Sequence, residues 1–180
     1  MRYEQRAACR PTGGFTLYIF NFLLACALAA PVAAETAPQS FWQISPTPSA
    51  GEESLALSLK AEKAVKGWMK TSVPVLTIQC VNGKAALYVE TGMALEVTVV
   101  DQQIVHLQLD DNNPFAQRWR EVTNTTVSAR DATTLIKQLT QSKKLLFEFT
   151  PFSNPPVQTE FIVAGLSAYL PQLAKACWGK

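Results

Sequence analysis

Histidine is almost missing from this 180-residue chain, where His106 stands alone, and cysteine is held to four residues. A structural zinc site takes four Cys or His ligands, so the portion that can fold with His106 is short of donors. Charge is also scarce, at 17% of residues. A nucleic-acid reader needs a dense basic face to displace counterions from phosphates, and no such run is present. Long apolar runs are missing too: the block from Phe15 to Ala30 is interrupted by Thr16 and Asn21 and falls short of the ~20 apolar residues of a spanning helix.

What the first residues do hold is the order of a secretory signal peptide. Arg2, Arg6 and Arg10 stand against Glu4, the apolar block follows, and Pro31-Val-Ala-Ala34 supplies small residues for a peptidase. Cleavage after Ala34 is expected, which leaves 35–53 as a Pro/Ser-rich segment and 54–180 as a single β-rich domain. Removing that leader takes the formal net charge from +2 to zero. A competing expectation is a lipoprotein, since Leu23-Leu-Ala-Cys26 resembles a lipobox whose cysteine would become an acylated anchor. Both place the folded domain in the periplasm.

Cys9 and Cys26 belong to the leader, so Cys80 and Cys177 remain. A metal ligand, a nucleophile and half of a disulfide are the possible roles. Two cysteines in an oxidising compartment most simply pair, and their local patterns both point inward. A two-residue turn at Asn82-Gly83 pairs Val81 with Lys84, Cys80 with Ala85, Ile78 with Leu87 and Leu76 with Val89. One face of that hairpin is then wholly apolar and includes Cys80. Near the other end, Leu166, Leu170, Leu173 and Cys177 recur at the spacing of a buried helical stripe. A Cys80–Cys177 disulfide is therefore expected.

The remaining elements follow from alternation and turn signals. Phe41-Trp-Gln-Ile44 is the apolar knot of the 35–53 tether and can dock one short strand. Leu55, Leu57 and Leu59 alternate as a strand, as do Leu95, Val97 and Val99 and then Val105, Leu107 and Leu109, with Asp101–Gln103 as the turn between the last two. Phe115–Val122, Leu145–Phe149 and Val157–Val163 read as further strands. Helices are expected at about 132–141, capped by Asp131, and about 166–177, where Pro171 forces a kink or a restart. The fold class is α+β: a mainly antiparallel β-sheet or sandwich with two helices and one disulfide.

With these elements placed, the chain resembles the TagO/VasI family of periplasmic proteins encoded with type VI secretion systems. The likeness runs from about Leu55 to Trp178 and is carried by "LALSL", "GWMKTSVPVLTIQCVNGKAALYV", "LDDNNPFAQRW", "TTLIKQL", "KLLFEFTPFSNPP" and "FIVAGLSAYLPQLAKACW". An Asp-Asp pair typical of the family's opening segment is lacking in "FWQISPTPSAGEESLALSL". The resemblance implies a non-enzymatic accessory of a type VI secretion system, acting by protein-protein contact with envelope or apparatus proteins, with no catalytic residues and no cofactor.

Several residues carry a functional reading beside a plainer one. His106 on an alternating strand faces away from the core; as a hydrolase base it would need a nucleophile such as Ser167 in "GLSAY", which lacks the second glycine of a nucleophile elbow. Asp110-Asp111 reads as a turn, since adjacent strand carboxylates point to opposite faces and "DDNNP" lacks the glycine and glutamate of a calcium loop. Lys63, Lys66 and Lys70 near Trp68 would share a face if helical and could meet anionic lipid or an acidic partner; Gly67 favours a loop. Arg118, Trp119, Arg120 and Trp68 form the candidate contact surface, because arginine and aromatic anchors often dominate interfaces. Trp119, like Trp42 and Trp178, could equally pack inside. The alternative function is a cell-wall glycan-binding module stacking Trp42, Trp68 or Trp119 on peptidoglycan sugars.

Overall fold

A computed structural model describes residues 41–49, 52–68, 70–81, 83–96 and 101–178. The leader, Cys9, Cys26 and residues 97–99 of the expected Leu95–Val99 strand lie outside the described residues, while Leu95 makes an isolated antiparallel bridge with Pro151. Strand alternation dominates what is described. β1 (Gln43–Ser49), β2 (Glu52–Lys60), β5 (Val75–Val81), β6 (Lys84–Glu90), β7 (Gln102–Leu109), β8 (Phe115–Thr123), β9 (Thr126–Ser128), β10 (Leu145–Phe149) and β11 (Val157–Phe161) form one sheet. Its order is β1-β2-β5-β6-β9-β8-β7-β10-β11, with antiparallel neighbours throughout. A small separate hairpin, β3 (Val65–Lys66) with β4 (Thr71–Ser72), fills the connection from β2 to β5.

The hairpin register at Gly83 is the one its turn chemistry demands. Val81 faces Lys84, Cys80 faces Ala85, Ile78 faces Leu87 and Leu76 faces Val89, while Gly83 takes a φ of 70° that costs glycine little. Leu76, Ile78, Leu87 and Val89 are buried as that register requires. The same period-two logic buries Val105 and Leu107 on β7 and Leu145, Phe147 and Phe149 on β10. Phe147 is the hub of an aromatic cluster, its ring centroid 5.3 Å from Trp119, 5.9 Å from Phe149 and 6.5 Å from Phe161.

The two ends of the sheet are tied to each other. Glu62 N–H, just past β2, donates to Glu160 O on β11 at 2.8 Å, and the buried Trp42 indole donates to Val163 O at 3.3 Å. The tether thus docks the strand the sequence allows, with Trp42 as its inward anchor. The nine strands form one continuous ladder, and these two hydrogen bonds link the regions near its ends.

Helix α1 (Ala132–Leu139) buries Ala132, Leu135, Ile136 and Leu139 and packs against β6. Asp131 Oδ1 accepts from Thr134 N–H at 3.0 Å, the expected N-cap. The helix stops short of Gln141 because Thr140 Oγ1 and Ser142 Oγ donate to Lys137 O and Gln138 O, satisfying carbonyls of the last turn. The expected second helix divides in two: a 3-10 turn (Leu166–Tyr169) and then α2 (Leu170–Trp178). Pro171 has no N–H to continue an α-ladder back to Ser167, and Leu170 N–H takes that carbonyl instead. Pro171 therefore sits in the first turn of α2, which packs against β2, β5 and β6.

Candidate contact surface

Burial alternates along β8, and that alternation sorts the candidate contact residues. Trp119 is fully buried at 0% exposure, packed on Phe147, with its indole N–H donating to Gln117 Oε1 at 2.9 Å. It is removed from the surface and belongs to the core. Arg118 and Arg120, one residue to either side, are exposed on the outer face. Across the ladder Arg118 stands opposite Ile104 and Arg120 opposite Gln102. Ile104 is an exposed large apolar side chain on an outward strand face.

Ile104 and Arg118, but not Arg120, border an open recess of about 470 Å³, lined also by Glu96, Gln102, Gln103, His106 and Thr150. Its floor is held by Gln103, which is buried; the Gln103 amide donates to Glu96 O and, at 3.2 Å, to Glu121 Oε2. His106 faces outward as its strand position requires and pairs through Nδ1 with Glu148 Oε1 at 3.1 Å. Glu148 is its direct cross-strand neighbour on β10. Ser167 is exposed on the 3-10 turn after β11, on a different element from the His106–Glu148 pair. Among the described residues no group of three His, Cys, Asp or Glu side chains is placed to hold a metal ion.

Asp110 takes a φ of 51°, a turn conformation that Asp tolerates. Its Oδ1 accepts from the N–H groups of Lys143 and Lys144 at 2.8 and 2.9 Å. The Asp110-Asp111 pair is thus a turn whose first carboxylate fastens the connection into β10. Trp68 lies on the loop between β3 and β4, so Lys63, Lys66 and Lys70 share no helix face; the hairpin replaces the helix that would have aligned them. Trp178 ends α2, and its side chain is outside the described residues.

The two cysteines are brought together from opposite ends of the domain. Cys80 Sγ donates to Ala176 O at 3.4 Å, one residue from Cys177, and both are thiols in this structure. Burial pushes the Cys177 thiol up to about 12, with the neighbouring Cys80 adding to the shift through a hydrogen bond and its charge. A Cβ on Gly83 would reach Cys177 O at 3.5 Å, so the β5–β6 turn lies against the end of α2.

Comparison with known proteins adds little to this geometry. No protein-family model matches the chain, and no curated protein matches it. Among solved structures, the chain is similar to invasion associated protein b from Bartonella henselae at 15% identity and a TM-score of 0.49. That match covers 74% of this chain and 91% of the other. A likeness so distant bears on neither activity nor partner.

The recess and the His106–Glu148 pair were beyond sequence reasoning because they depend on which strands become neighbours. β10 follows β8 and β9 in the chain yet pairs with β7. The alternation of β7 alone could show only that Ile104 and His106 share the outer face.

Proposed function

We propose that this chain is an exported, non-enzymatic accessory protein of a type VI secretion system that acts by protein-protein contact in the cell envelope. The secretion-system part of this reading is supported by the ordered motif series from Leu55 to Trp178. The contact part is carried by one observation, the outer face of β7 and β8, where exposed Ile104 stands across from Arg118 at the mouth of an open recess. An exposed apolar residue directly across from an arginine has the composition of an interface anchor.

Cys80 and Cys177 are further proposed to bridge in the exported protein. Two thiols lose two protons and two electrons to the disulfide of a periplasmic oxidoreductase, which is itself reduced to a dithiol. Their apposition supports this. The glycan-binding alternative keeps Trp68 but loses Trp42 and Trp119 as stacking rings, since both are buried.

Deletion in the native host followed by complementation tests the reading. Secretion of the type VI tube protein should fall on deletion, return with the wild-type gene, and fail to return with Ile104→Asp/Arg118→Glu at equal periplasmic level. Undiminished secretion after deletion would remove the accessory role; full rescue by the double variant would remove this face from it.

A further inference from the structure

We propose that the β3–β4 hairpin is a membrane-surface finger whose tip, Trp68, inserts among the headgroups of an anionic bilayer while neighbouring lysines meet the lipid charge. This inference is independent of the β7–β8 contact face. Trp68 is 82% exposed, the highest value among the exposed large hydrophobic side chains of the described residues. Single exposed apolar residues are ordinary on protein surfaces; the setting of this one is not.

The root of the finger is fixed on three sides. Val65 is buried in the core. Thr159 Oγ1, itself buried, donates to Lys63 O at 3.0 Å, and Glu62 N–H donates to Glu160 O at 2.8 Å, so the approach to β3 is stitched to β11. Gly67 N–H donates to Lys70 O at 2.9 Å and closes the turn. Gly67 also lies so near buried Met93 that a Cβ there would stand 3.1 Å from its Sδ. The chain thus holds the base of the hairpin against the core and leaves the Trp68 indole exposed at its turn.

Charge selects the occupant. Lys66 and Lys70, on the two sides of Trp68 in the hairpin, are exposed, while the acidic residues Glu62 and Glu160 lie at its root, where Glu62 N–H donates to Glu160 O. An indole has an apolar body and a polar N–H, which suits the headgroup level of a bilayer. The two lysines beside it add attraction to anionic lipid, about fivefold in binding for each lysine near the surface. Trp68 alone does not form a sugar-binding platform, and the neighbouring ammonium groups match phosphate better than neutral sugar hydroxyls. The partner is therefore an anionic phospholipid surface.

Vesicle co-sedimentation of the exported protein tests this, with Cys26→Ser in every arm so that no acyl chain contributes. The vesicles are phosphatidylcholine alone, or phosphatidylcholine mixed with phosphatidylglycerol, and peptidoglycan sacculi form a parallel arm. Wild type should bind the mixed vesicles, bind them less as salt rises, and bind neutral vesicles weakly. Lys66→Gln and Lys70→Gln should each weaken binding by about fivefold, and Trp68→Ala should weaken it by about tenfold or more with an unchanged thermal midpoint. Equal binding by Trp68→Ala, equal binding to neutral vesicles, or no vesicle binding would each overturn the proposal. Retention on sacculi that depends on Trp68, without vesicle binding, would overturn it in favour of a glycan.

Discussion

In the reduced protein, Cys177 is held neutral chiefly by burial, which raises it from the ordinary value of 9.0 to about 12. Because the folded value is the higher one, the stabilisation is fully present below pH 9 and is lost as pH rises toward 12. The Cys177→Ala variant, compared with reduced wild type by denaturant melts, should therefore close part of its stability gap across that alkaline window; a gap constant with pH would contradict the assignment. Asp131 carries the opposite sign. Its side chain accepts from Thr134 and its pKa is lowered, by that hydrogen bond first and by Lys137 least. Stability from the charge is present above the ordinary carboxylate range and disappears as pH falls through the lowered value. Asp131→Asn keeps a capping oxygen, so its thermal midpoint should lie below wild type at neutral pH and converge with it in acid. Parallel curves at every pH would mean that the carboxylate charge contributes nothing.

Along a single strand, β8 sets two kinds of residue side by side, and the energetics should divide at each step. Trp119→Ala empties a fully buried site against Phe147 and is expected to cost about 3–5 kcal/mol. Arg118→Ala, on the outer face, should change stability by no more than about 0.5 kcal/mol. Urea midpoints measure both, and a marginal cost for Trp119→Ala would contradict its place in the core. Period-two alternation made β2, β7, β10 and the β5–β6 hairpin legible in the sequence, whereas β8 was legible only through the turn signal at Asp110–Pro114 that precedes it. It could not say which way Trp119 pointed, because Phe115–Val122 alternates weakly and only the pairing of β8 with β7 and β9 fixes its inner face. β9 is three residues long, too short to leave a pattern. The division of the C-terminal helix was visible through Pro171, whereas the β3–β4 hairpin was masked by lysine spacing compatible with either a helix or a loop.

At the scale of the whole molecule, closure is the recurring theme. Glu62 and Trp42 tie one end of the sheet to the other, and α2 brings the last cysteine of the chain onto the β5–β6 hairpin. Sequence separation concealed the first of these ties, since long-range backbone pairing has no local signature. The second was readable because an inward strand position and a helical stripe each carried a thiol. A bridge there would close a loop of roughly 100 residues and add about 4.7 kcal/mol by chain entropy. The proposed export and the proposed bridge stand together on that pair. Intact mass of the exported protein, with and without reductant and followed by non-reducing peptide mapping, tests them most directly. The account predicts a protein lighter by the hydrogens lost in one disulfide and a linked peptide joining Cys80 to Cys177; two free thiols in the exported, unreduced protein would contradict it.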